Sequence, residues 1–145
     1  MDILVEPVLE LRGSDRPVLL LVDDEPAVLV ALRRCLRREG YDLLSADCGS
    51  GALDRLSDGE VDLVLSDERM PDMKGTELIR AVLERSPLTV CALLTGVHLP
   101  SVIREGTQAG ASAILFKPWN EPVLRKSVRR LLGKPFGDRG PCGSP

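Results

Sequence analysis

Short apolar runs alternate with amphipathic stretches five times along this chain. Val18–Val22 is apolar throughout, as a strand buried on both faces should be. From Pro26 to Glu39, Val28, Leu29, Leu32, Cys35 and Leu36 recur at helical spacing. Arg33, Arg34, Arg37 and Arg38 take the other side of that helix, and Gly40 ends it. Tyr41–Ala46 predicts a second strand and Gly49–Asp58 a short helix closed by Gly59. Val61–Ser66 predicts a third strand, and Thr76–Arg85 a third helix stopped before Pro87. Leu88–Leu94 predicts the fourth strand. Pro100–Ala109 predicts a helix weakened by Gly106 and Thr107. Ala113–Phe116 predicts the fifth strand. Glu121–Leu132 is the last helix, with Asn120 as N-cap, Pro122 in its first turn and Gly133 beyond its end. Strands separated by helices imply parallel pairing through right-handed crossovers, hence a (βα)5 three-layer α/β sandwich.

Residues 17–133 form this one domain. Residues 1–16 are an extension without clear period, and residues 134–145 a Gly- and Pro-rich tail expected to be flexible. Composition keeps the picture ordinary: 145 residues, 43% hydrophobic and 28% charged, with net charge −3. That charge offers no general attraction to nucleic acid or anionic membrane. No apolar run approaches a membrane span, and the start at Met1-Asp2-Ile3-Leu4 lacks a basic signal, so a cytoplasmic location is expected. Cys35, Cys48, Cys91 and Cys142 form no CxxC pair, and His98 is the sole histidine, which argues against zinc. Free thiols are expected, three packed as small apolar residues and Cys142 exposed in the tail.

Candidate chemistry sits at the ends of the apolar runs. Asp23-Asp24 follows the first, Asp67 the third, Thr95 the fourth and Lys117-Pro118 the fifth. Each has a bland explanation alone: Asp24-Glu25-Pro26 also reads as an acidic helix start, and Thr95 and Lys117 as surface residues. Together they describe one pocket, because ligands of open α/β sheets bind outside the carboxyl ends of the strands. Two adjacent acids after a buried strand repel, and a bound cation relieves that. Mg²⁺ suits oxygen donors and takes one or two carboxylates. If the first and third strands are neighbours, Asp67 lies beside the acidic pair, placed to accept a phosphoryl group as an acyl phosphate.

The segment from Val61 through Ser66-Asp67-Glu68-Arg69-Met70-Pro71-Asp72-Met73-Lys74-Gly75, with Leu94-Thr95-Gly96 and Phe116-Lys117-Pro118, resembles the receiver domain of bacterial two-component response regulators. The resemblance covers residues 17–133. It implies a flavodoxin-like five-stranded parallel sheet of order 2-1-3-4-5. It also implies Asp67 as phosphoacceptor, with Asp24 and Asp67 as direct Mg²⁺ ligands, Asp23 acting through water and the backbone carbonyl of Arg69 completing the protein ligands. Met70-Pro71, Met73 and Gly75 match the family loop that shapes the pocket. Thr95, the N–H of Gly96 and Lys117 would bind the phosphoryl oxygens, and the Lys117–Pro118 peptide would be cis. The donor would be a sensor histidine kinase or a histidine phosphotransfer protein. The output would be a shape change around the fourth helix and fifth strand, felt by a downstream protein, in a monomer or a phosphorylation-dependent dimer.

Two departures qualify the resemblance. Receivers often carry Tyr or Phe where Ile114 stands, so a ring-flip switch is in doubt while a shift of Thr95 is not. Arg69 and Val97 occupy the positions that tune phosphoryl lifetime, and their size and apolarity favour a long-lived state. The basic side of the last helix (Arg125, Lys126, Arg129, Arg130) is read as a solvated face, with no direct nucleic-acid contact. The absence of an output module after Leu132 leaves open a single-domain regulator or a piece of a longer chain. The wording around Asp67 and Lys117 faintly resembles receivers joined to cyclic-dinucleotide phosphodiesterase or enhancer-type ATPase modules.

Enzymes of other classes fit poorly. An aspartyl phosphatase wants a second Asp where Arg69 stands, and neither a GxxxxGK phosphate loop nor GxGxxG is present. Action on substrates other than its own phosphoryl group is not expected. The remaining alternative is a receiver-like interaction module that works without phosphorylation.

Overall fold

The computed structural model describes residues 16–139, with side chains described through residue 133. The N-terminal extension before Arg16, the end of the tail and Cys142 lie outside the described residues. In chain order the elements are β1 (Val18–Val22), α1 (Pro26–Leu36), β2 (Asp42–Ala46), α2 (Gly49–Asp58) and β3 (Leu63–Ser66). They continue with α3 (Gly75–Arg85), β4 (Val90–Thr95), α4 (Pro100–Ala109), β5 (Ala113–Phe116) and α5 (Glu121–Arg139). The five strands form one sheet of order β2-β1-β3-β4-β5, all parallel.

Alternation along the strands sends side chains to two cores. Leu19, Leu21, Leu63, Leu65 and Leu94 point to the face covered by α1 and α5, meeting Leu32, Leu36, Leu124 and Val128. Leu20, Val22, Val64, Cys91 and Leu93 point to the other face, meeting Ala52, Leu78, Ile79, Val82 and Val102 from α2, α3 and α4. β1 and β3 are buried almost end to end, because both faces of a central parallel strand are covered. Burial pushes the Cys91 thiol up to about 12 and keeps it inert. Cys35, Cys48 and Cys91 are all free thiols.

The differences from the sequence reading are local. Leu88 was expected to open the fourth strand; instead it is 94% exposed at a turn. The Thr89 N–H donates to the Ser86 carbonyl at 3.0 Å, and the Ser86 and Thr89 hydroxyls meet at 2.7 Å. Pro87 and this hydrogen bond turn the chain before pairing begins at Val90. α1 stops at Leu36, and Arg37 to Gly40 form a turn that Gly40 completes at φ +88°. α5 runs to Arg139, past the expected stop at Gly133. A glycine costs a helix about 1 kcal/mol relative to alanine but does not forbid helical dihedrals. Among the described residues, no helix is long and apolar enough to cross a membrane.

Candidate functional site

The sheet order places β1 between β2 and β3, so the chain reverses its direction of winding at β1 and opens a crevice at the carboxyl ends of the strands. The residues after β1 and β3 line it. Asp23, Asp24 and Asp67 each offer a carboxylate oxygen, and these atoms lie within 4.8 Å of one another. Asp23 and Asp67 are buried while Asp24 is exposed, which suits an ion that keeps part of its water shell. Hard oxygen donors at this spacing fit Mg²⁺. The acidic run does open α1, as its helix-start reading expects, but through backbone alone. Glu25 is the N-cap of α1, yet its side chain makes no capping bond, and its N–H donates instead to Asp23 Oδ1 at 2.9 Å.

Lys117, just past β5, brings an ammonium into this cluster. Its Nζ lies 2.7 Å from Asp23 Oδ2 and 3.5 Å from Asp67 Oδ2. Desolvation alone would lower the Lys117 pKa; the hydrogen bond and charge of Asp23 and the charge of Asp67 together outweigh it and hold the ammonium above its ordinary value. Asp67 is displaced upward, first by burial and then by Asp23, against the pull of Lys117 and of the Glu68 N–H. One cation facing three carboxylates leaves excess negative charge, the condition in which a divalent ion binds well.

Thr95 ends β4 fully buried, and its hydroxyl accepts the Val97 N–H at 3.1 Å. The Lys117 N–H donates to the Thr95 carbonyl at 2.9 Å, so β4 and β5 deliver the two residues side by side. The Lys117–Pro118 peptide is cis. His98 reaches from the loop after β4 to the Lys117 carbonyl at 3.2 Å and meets the Phe116 ring at a tilt of 51°, with centroids 4.6 Å apart. Ile114 lies under α4, where a Cβ on Gly106 would meet its Cδ1 at 2.6 Å. The glycine that weakens α4 by propensity is therefore what lets that helix approach β5.

Two residues escaped the sequence reading. Glu68 carries a buried carboxylate that accepts the Thr76 N–H at 2.9 Å and the Thr76 hydroxyl at 3.3 Å. Asp72, in the same loop, accepts the Gly49 and Ser50 N–H groups at 2.9 Å each and so caps α2 from outside. Those two backbone bonds hold the Asp72 carboxyl below its usual range. The loop is pressed close to α2, for a Cβ on Gly49 would collide with Met73. A signal for Glu68 was present in the sequence, a second acid two positions past the end of β3, but it lies beside the more conspicuous Asp67. The basic face of α5 is partly tied down: Arg129 forks onto Glu39 Oε1 at 3.1 and 2.9 Å, and Arg125 reaches the Cys35 carbonyl and Glu121.

The family model for the response regulator receiver domain matches residues 19–129, and the chain belongs to that family. It is a receiver domain of the two-component type, with a flavodoxin-like fold. Among curated relatives, the transcriptional regulatory protein GlrR of Escherichia coli is 35% identical over 121 residues, which are 82% of this chain and 27% of GlrR. The response regulator MprA of a Mycobacterium species is 34% identical over 123 residues, 85% of this chain and 54% of MprA. The chain thus spans between about a quarter and a half of the length of these relatives. Among solved structures, the Vibrio cholerae chemotaxis protein CheY4 aligns with TM-score 0.77 at 32% identity, covering 81% of this chain and 99% of that one. The signal receiver domain of an HD domain-containing protein from Pseudomonas fluorescens aligns with TM-score 0.80 at 32% identity, covering 88% and 94%. Receivers take their phosphoryl groups from sensor histidine kinases, and two proteins named as sensor kinases also align with this chain.

Proposed function

We propose that this receiver is a working phosphorylation switch with Asp67 as its phosphoacceptor. The observation that carries the reading is the Lys117 ammonium bridging Asp23 and Asp67 at the mouth of the crevice, with Asp24 alongside. Asp67 Oδ1 is occupied by the Glu68 N–H at 2.8 Å, which leaves Oδ2 as the attacking oxygen. Oδ2 bonds to the phosphorus of a phosphohistidine on a sensor kinase or phosphotransfer protein. The P–N bond breaks, its electron pair returns to the imidazole, and Asp67 becomes an acyl phosphate. Asp24 and Asp67 would hold Mg²⁺ directly, with Asp23 acting through water and the Arg69 carbonyl as the last protein ligand. An ion held there would supply positive charge to the phosphoryl oxygens. Lys117 exchanges part of its contact with Asp23 for a phosphoryl oxygen, while Thr95 and the Gly96 N–H take another.

Thr95 gives up its Val97 partner in doing so, and the loop entering α4 follows. α4 is then the main responder, and the exposed Leu99 at its N-cap and Ile103 within it lie where a downstream protein would sense the change. With Ile114 in place of an aromatic residue, the response runs through Thr95 and repacking of α4, without a ring flip. Amide exchange with and without beryllofluoride and Mg²⁺ tests this. Altered protection over residues 100–109 is expected, and identical protection in both states would refute the switch.

A further inference from the structure

We propose that Glu68 is a positioning residue for the reaction at Asp67, an inference that rests on the phosphoacceptor reading above. Its backbone and side chain act in opposite directions. The N–H faces the site and donates to Asp67 Oδ1 at 2.8 Å. The carboxylate faces away, into the start of α3, and accepts the Thr76 N–H and hydroxyl. The carbonyl accepts the Gly75 N–H at 2.9 Å. Gly75 adds a second grip, because any Cβ there would collide with the Asp67 carbonyl oxygen. The first turn of α3 therefore clamps the backbone on both sides of the peptide that orients Asp67.

Helix capping alone does not explain a buried acid here. The backbone donors without an intrahelical partner at the start of α3 are the N–H groups of Lys74, Gly75, Thr76 and Glu77, and the Glu77 carboxylate already serves the first at 2.8 Å. A Ser or Asp in place of Lys74 would cap the helix locally, with its side chain in water. The chain instead buries a carboxylate that is 6% exposed, in a setting where desolvation works against its charge. What the buried carboxylate adds is a rigid link from α3 to the Asp67 peptide, and to the backbone running into Arg69, whose carbonyl is the proposed Mg²⁺ ligand. Rigid support of this kind matters because a misplacement of about 1 Å costs a reaction roughly a hundredfold.

The test compares wild type, Glu68→Gln, Glu68→Ala and Thr76→Val. Two quantities are measured: phosphorylation rate with acetyl phosphate at saturating Mg²⁺, by intact mass, and Mg²⁺ affinity from Trp119 fluorescence. Glutamine keeps an acceptor for the Thr76 N–H and a donor for its hydroxyl, so Glu68→Gln should stay within about threefold of wild type. Glu68→Ala should slow phosphorylation at least tenfold, and weaken Mg²⁺ severalfold, in protein that is folded by circular dichroism. If Glu68→Ala does not fold, Thr76→Val carries the test: slowing of about threefold supports the role, and the wild-type rate overturns it. Equal losses in the Gln and Ala variants would show that charge and not positioning matters. Wild-type rate and affinity in Glu68→Ala would overturn the inference while wild-type phosphorylation still upheld the switch. A wild type that takes no phosphoryl group would instead reject the switch, and unchanged Mg²⁺ affinity in Glu68→Ala would then reject the positioning role separately.

Discussion

Replacing Lys117 by methionine keeps most of the side chain's length and removes its charge, leaving Asp23 and Asp67 to face each other without an ammonium. At distances of 2.7 and 3.5 Å, and an effective dielectric constant of about 20, the gross attractions are about 6 and 5 kcal/mol. Desolvation of the three groups and the repulsion between the carboxylates cancel much of this. Truncating one partner of a buried pair typically costs about 3–5 kcal/mol. The Lys117 side chain keeps 17% of its surface in water, which favours the lower end, so a loss of about 3 kcal/mol is expected in metal-free buffer near neutral pH. With a urea slope of about 2 kcal/mol per molar, the unfolding midpoint should fall by roughly 1.5 M. Saturating Mg²⁺ should return more stability to the variant than to wild type, because the ion takes over the neutralisation. Adding Asp23→Asn to the variant should also recover part of the loss, a coupling that a double-mutant cycle reads directly. An unmoved midpoint in chelator would show that Lys117 does not offset the acidic cluster.

Tyr41 is the only tyrosine, so phenolate absorbance reports it alone. Burial first, then Glu39, raise its pKa against Arg129. The titration should lie above the ordinary phenol value and move back down in Glu39→Gln. Because the folded value is the higher one, its stabilising contribution is complete below about pH 10 and is lost as pH rises through the folded pKa. Gly106→Ala should destabilise by about 1–2 kcal/mol in urea melts, although alanine is the better helix former, because its Cβ meets Ile114 and Leu93. Pairing it with Ile114→Val should recover part of that loss; a stabilised single variant would contradict the close approach of α4. Arg69 is exposed beside the site and Val97 packs on the second core, so the phosphorylated state should be long-lived, and Arg69→Asn should shorten it severalfold by admitting water. Equal phosphate loss in both proteins would contradict this.

Much of the fold was legible because central parallel strands are apolar on both faces, and β1 and β3 announce themselves as unbroken runs. The pocket was legible for a related reason: Asp23, Asp67, Thr95 and Lys117 each follow or end a strand, and the sheet order brings strand ends together. What stayed hidden depends on partners that residue type and local pattern do not single out. Asp72 caps a helix that starts 23 positions earlier, so no local capping pattern betrays it. Glu68 is buried only because Thr76 comes back to meet it. Cys48 caps α2 through its sulfur, accepting the Gly51 N–H at 3.4 Å, a role seldom assigned to cysteine. Leu88 read as strand because its apolar character says nothing of the turn that Ser86 and Thr89 close around it.

Intact-mass analysis after treatment with acetyl phosphate and Mg²⁺, beside Asp67→Asn and a chelated control, tests the switch most directly. One added phosphoryl group in wild type, absent from both controls, is the predicted result. An unmodified wild type, or a phosphoryl group that persists in Asp67→Asn, would contradict it.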